Sequence, residues 1–140
     1  MIVLAGLWEL GWNTPIKEAD LWEMVARDFG VTIAMCPVSG VRLWWEGGLL
    51  EYADLPAALT ALGLPGVFVD EHGTVPLRDF VHPESCVYVF GKTSTSALYA
   101  MREGDVSVSV ETPGQLGMMW AHQAAAIVLY DRQVKSWPQP

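Results

Sequence analysis

Five short apolar runs divide this chain, and four of them are continuous rather than alternating. They fall at residues 2–7, 31–38, 66–70, 86–90 and 106–110. A strand with one wet face alternates apolar and polar residues. A strand covered on both faces does not, and parallel strands sandwiched between helices are of this second kind. The fifth run, Val106-Ser107-Val108-Ser109-Val110, does alternate, so one of its faces is polar or approaches a ligand. Helical segments stand between the runs. The first opens at Thr14-Pro15, with Thr as cap, Pro at the first helical position and the acids Glu18 and Asp20 near its start. Leu21, Val25 and Phe29 then share one face, and Gly30 ends it. The second spans 54–62, capped by Asp54 and stopped by Gly63; the third spans 96–103, stopped by Gly104; the fourth runs over 116–133. This order, with short connections, predicts one α/β domain over residues 1–140, built on a mostly parallel sheet of five or six strands.

Composition narrows the class. Apolar residues make up 51% and charged residues 17%, which excludes a disordered chain. Seven tryptophans supply aromatic surface for core, interface or pocket. The formal net charge of −8 counts against autonomous RNA binding, because phosphate neutralisation needs a basic face, although a local patch or a partner could supply one. Cys36 and Cys86 are isolated within apolar runs and read as buried free thiols of a reducing compartment. The first residues lack a basic leader, and no apolar run reaches membrane-spanning length. The expectation is a cytoplasmic protein with neither membrane nor DNA as partner.

Ligands of α/β sheets bind at the carboxyl ends of strands. Three loops qualify: Asp70-Glu71-His72-Gly73, Gly91-Lys92-Thr93-Ser94-Thr95-Ser96 and Glu111-Thr112-Pro113-Gly114-Gln115. The second resembles the end of a phosphate-binding loop, but Cys86 stands where that motif needs its first glycine. Asp70, Glu71 and His72 are adjacent, so their side chains diverge, and a solvated turn before Gly73 fits them better than a metal or acid–base cluster. His82 and His122 are single histidines with structural roles expected, and no metal site is expected. The segment 41–52, with Trp44 and Trp45 beside Gly47-Gly48, fits neither helix nor strand and reads as a covering loop or as core packing.

The stretch from Gly66 to Asp131 carries a further signal. It passes through Val67-Phe68-Val69-Asp70, Val87-Tyr88-Val89-Phe90-Gly91, Val106-Ser107-Val108 and Ala124-Ala125-Ala126-Ile127-Val128-Leu129-Tyr130-Asp131. In order and spacing this resembles the SpoU branch of the SPOUT superfamily, the S-adenosylmethionine-dependent RNA methyltransferases. The first half matches more loosely, through Asn13-Thr14 and Asp28-Phe29-Gly30-Val31. The resemblance implies a C-terminal trefoil knot, S-adenosylmethionine held by the knotted loops, and a homodimer packed partly through the last helix. The matching cofactor positions are Val69, Gly91, Val110 and Met118. At Gly91 the lack of a side chain would allow close approach of the ligand.

The polar positions of the family depart. Its Gly-x-Glu is Gly91-Lys92-Thr93 here, its Ser-x-Asn is Met118-Met119-Trp120, and its first-helix Arg aligns near Met24. The catalytic candidates are Asn13 and the nearby cations Lys17 and Arg27, neither cation being in register. Two functions follow: a divergent methyltransferase acting on tRNA or rRNA, in the ribose 2′-O manner, or a knotted homodimer that has lost catalysis and serves as a binding protein.

Overall fold

Parallel pairing satisfies the backbone of all five apolar runs within one sheet. In the computed structural model, which describes residues 1–9, 15–41, 48–114 and 119–138, leaving aside the side chains of Pro15 and Ile16, β1 (Ile2–Leu7) lies between β2 (Thr32–Cys36) and β6 (Cys86–Phe90). Outside β2 is β3 (Leu49–Glu51). On the other side β6 pairs with β4 (Gly66–Val69), β4 with β7 (Val106–Ser109), and β7 with β5 (Val75–Pro76). The seven strands run in the order β3-β2-β1-β6-β4-β7-β5, every pair parallel. The five or six expected strands are thus joined by short edge strands of three and two residues, too brief to produce an apolar run. Pro76 sits on the outermost strand, where a missing N–H costs no ladder bond.

Strand residues alternate between two covered faces. Val3, Ala5, Ala34, Val87, Val89 and Phe68 pack with Leu55, Ala58 and Leu59 of α2 (Leu55–Leu62). Leu4, Ile33, Met35, Tyr88, Phe90 and Val67 pack with α1 (Pro15–Phe29) and α3 (Ala121–Ser136). Burial of one such aliphatic or aromatic side chain contributes roughly 1.5–3 kcal/mol. α2 has the caps read from the sequence: Asp54 accepts from Ala57 N–H at 2.8 Å, and Gly63 takes a left-handed φ of 63°.

Three helical expectations need correction. The core stripe of α1 is Ala19, Trp22 and Ala26; Val25 and Phe29 pack only at its margin and Leu21 turns elsewhere. The expected third helix shrinks to a single 3-10 turn at Leu98–Ala100, because Met101 is already extended and Gly104 is left-handed. The last helix begins at Ala121 and continues to Ser136, past the expected 133, until Trp137-Pro138 stops it. Trp44 and Trp45 lie outside the described residues.

One buried polar network fastens α3 to the segment before β6. His82 Nδ1 lies 2.7 Å from the Tyr88 hydroxyl, and its Nε2 lies 2.7 Å from Asp131 Oδ2. Arg132 donates to the Tyr88 oxygen at 3.1 Å, and Lys135 donates to Asp131 at 2.8 Å and to Leu77 O at 2.6 Å. Neutral His82 satisfies every partner: Tyr88 donates to Nδ1, and Nε2–H donates to Asp131. Burial holds its pKa below the ordinary histidine value, the pull of Asp131 notwithstanding. His82 is structural, as expected. Both cysteines are buried and free, also as expected. Among the described residues no group of side chains could hold a metal, and no helix is long and apolar enough to cross a membrane.

Candidate functional site

The register of the sheet levels four strand ends. Phe90 of β6 stands opposite Gly6 of β1 and Val69 of β4, and Val69 stands opposite Val108 of β7. The segments leaving these strands therefore emerge side by side at one edge, around a cavity of about 700 Å³. Cavities of roughly 300–1,000 Å³ hold nucleoside-sized ligands.

Its floor is apolar: Leu7, Leu21, Trp22, Phe90, Val69, Val110 and Met119. Trp22 packs edge-on against Phe90 with ring centroids 5.8 Å apart, and against His122 at 6.4 Å. Trp120 closes the far side on His122 at 5.5 Å. Burial lowers the His122 pKa, so this ring is neutral near pH 7.

The loop from Gly91 to Ser96 forms the rim. Lys92 and Thr95 exchange backbone hydrogen bonds, each 2.9 Å long, which folds the loop back on itself. A side-chain carbon at Gly91 would lie 2.4 Å from the Thr95 carbonyl oxygen. The loop's own closure therefore demands glycine at this position, a reason that local sequence pattern does not contain. Ser96 Oγ donates to Asp70 Oδ2 at 2.7 Å, joining this loop to the one after β4. Asp70 also accepts from His72 N–H at 2.9 Å, so the 70–73 segment is the solvated turn expected of it.

Two residues not singled out as site candidates in the sequence complete the rim. Glu18, buried on α1, receives the Glu9 N–H on both carboxylate oxygens, at 2.7 and 2.8 Å. Glu9 in turn accepts the Thr93 N–H at 2.8 Å. A carboxylate thus reaches the residue that lacks one in the expected Gly-x-Glu pattern. Glu9 stands just past β1, and the strand-end rule that singled out three loops applies equally to this end. β1 escaped it because its partnership with β6 is a long-range pairing, invisible in local pattern. Glu9, Glu18, Asp70 and Glu71 give the lining four carboxylates against one ammonium, Lys92, among the described residues.

Of the predicted cofactor positions, Val69, Gly91 and Val110 meet in this cavity; Met118 lies outside the described residues. Of the catalytic candidates, Asn13 also lies outside them. Lys17 is exposed and Arg27 is paired to Glu23 at 2.7 Å; neither lines the cavity. Met24, aligned with the family's arginine, is exposed and away from the lining, whereas Trp120 is part of it. A second cavity, about 750 Å³, lies by the opening residue of β1. Its cations are engaged: Arg132 on the carbonyls of Pro83 and Glu84, Lys135 on those of Leu77 and Phe80. It offers a ligand less than the first.

No protein-family model matches the chain, and no curated protein matches it by sequence. Solved structures do. A protein studied for 2′-OH methylation of C/U34 on tRNA matches at a TM-score of 0.71 and 15% identity, covering 94% of each chain. The SpoU methyltransferase AviRb from Streptomyces viridochromogenes, solved with AdoMet, matches at 0.67 and 18% identity, over 98% of this chain and 61% of that one. The A. aeolicus TrmH/SpoU tRNA modifying enzyme matches at 0.67 and 14% identity, over 96% and 74%. At these identities the likeness is one of architecture, and on that ground the chain carries the fold of the TrmH/SpoU-type RNA methyltransferases.

Proposed function

We propose that this chain is a divergent SpoU-type methyltransferase that binds S-adenosylmethionine in the cavity at the strand ends and acts on RNA. The observation that carries the reading is the convergence of Val69, Gly91 and Val110, the positions that the resemblance matched to the cofactor, on one cavity of nucleoside size. The residues present fit the cofactor. Apolar and aromatic walls suit an adenosine, and the carboxylates suit a cationic side arm. The reading includes a trefoil knot through the 91–96 loop and pairing of two copies through the helical face of α1 and α3.

S-adenosylmethionine, when bound, supplies an electrophilic methyl group. The chain supplies position and environment. Leu7, Trp22 and Phe90 keep water from the floor, and the hydrogen bonds of Thr93 and Ser96 hold the rim in one conformation before any ligand arrives. Lys92 is the cation placed to meet an RNA oxygen, the part that Lys17 and Arg27 cannot play from outside the cavity.

Calorimetric titration with S-adenosylmethionine and S-adenosylhomocysteine tests the reading. Binding below millimolar concentration is expected; silence with both ligands at millimolar concentration rejects it. The alternative, a knotted binding protein without turnover, draws on one observation: neither Met24 nor Trp120 can ease removal of a proton from a ribose hydroxyl. Cofactor binding without RNA labelling would select it.

A further inference from the structure

The carboxylate of Glu9 has two oxygens and, among the described residues, one hydrogen-bond partner. Its Oε2 accepts the Thr93 N–H at 2.8 Å, while Oε1 receives no hydrogen bond from the described residues. The backbone of Glu9 is anchored, because its N–H is donated to both oxygens of Glu18, a residue only 5% exposed, and the carboxylate itself is held by the Thr93 N–H. Glu9 therefore places a carboxylate on the rim, held through Thr93 and with one oxygen unbonded among the described residues, in a cavity whose described lining holds more carboxylates than ammonium groups.

Resting on the reading of this cavity as the S-adenosylmethionine site, we propose that Glu9 is a specificity-determining residue that makes the cavity prefer the methyl donor to its demethylated product. The two ligands share the adenosine and the amino-acid arm. They differ by one methyl group and one positive charge at sulfur, a sulfonium against a neutral thioether. The shared parts contribute alike, so the ratio of the two affinities reports the potential at the sulfur. A half-buried carboxylate within several ångströms changes that ratio by about tenfold at low salt. The consequence is favourable for turnover: product formation cancels the charge that the rim attracts, and release is eased.

The test is titration of the intact protein with S-adenosylmethionine and with S-adenosylhomocysteine, at low and high ionic strength, beside amide hydrogen exchange at Thr93. The wild type is expected to bind the donor about tenfold more tightly than the product, with the gap narrowing as salt rises. Glu9→Gln keeps an acceptor for Thr93 N–H and loses the charge. It should retain protection at Thr93 while the ratio falls to about threefold or less. Glu9→Ala should lose both. Equal wild-type affinities, or an unchanged ratio in Glu9→Gln, overturn the proposal and leave the cofactor site standing. Failure of both ligands to bind removes the cofactor reading and this inference with it. The wild-type ratio and its salt dependence decide the matter even where a variant does not fold.

Discussion

Two residues show how a side chain, or its lack, is set by contacts that pattern alone does not contain. Gly91 was legible as the glycine that follows a buried strand, but its part in closing the loop was not. A Cβ there would press on Thr95 O, four residues on, through a loop fold that no local rule predicts. His82 was legible only as a solitary histidine. Its two hydrogen bonds, to Tyr88 and Asp131, join residues six and 49 positions away. That network makes a pH prediction. The folded pKa of His82 lies below the ordinary value, so the unfolded chain binds the proton more readily, and stability falls as pH falls. The contribution is fully present above about pH 6.5 and is lost on descent through the folded pKa. His122, lowered by burial, acts in the same sense. The urea midpoint should drop between pH 7.5 and 5.5, and His82→Gln should flatten that drop; a midpoint constant over this range would contradict the assignment.

Among the elements, those with a long and local signal were the most legible. The strands at Ile2–Leu7 and Cys86–Phe90 have the ends the apolar runs foretold, and α2 has both its predicted caps. The segment at 96–103 looked helical because its composition permits a helix. Yet Ser96 is bonded to Asp70, and the chain has room only for one tight turn before Arg102 clamps Asp105 at 2.9 Å. The last helix presents a different issue. Its buried side is Ala124, Ala125, Val128 and Leu129, while Ile127 and Tyr130, with Trp120 just before it, remain 39%, 57% and 48% exposed. Met24 of the neighbouring α1 adds another exposed apolar residue. Large apolar side chains left exposed on two neighbouring helices suit an interface. In the proposed homodimer a second copy covers it. Ile127→Asp and Tyr130→Asp together should convert a dimer of the wild type into a folded monomer, read by light scattering and circular dichroism. A wild type already monomeric at micromolar concentration would remove the proposal.

For the molecule as a whole the question is how a chain of net charge −8 could work on a polyanion. Self-repulsion with RNA is strongest at low salt and weakens as the Debye length shortens, so any RNA labelling should rise, not fall, on moderate addition of salt. That is the reverse of the usual nucleic-acid binder. Within this acidic envelope the cavity holds a single described cation, Lys92, on the loop that carries Gly91 and Thr93. A ribose hydroxyl is a weak nucleophile and needs nearby positive charge or a base. His122 is neutral near pH 7 and is walled by Trp22 and Trp120, so among the described residues of the lining Lys92 is the group proposed to meet an RNA oxygen. The assay is transfer of labelled methyl from S-adenosylmethionine to bulk cellular RNA by the purified protein. Lys92→Ala should cut labelling at least about tenfold while cofactor affinity holds or tightens, since a positive charge leaves a cavity that binds a cation. Replacing Lys17 and Arg27 together should leave labelling nearly intact, because neither lines the cavity. Labelling that survives loss of Lys92 and disappears with the other two would show that the substrate approaches over α1, not across the 91–96 loop.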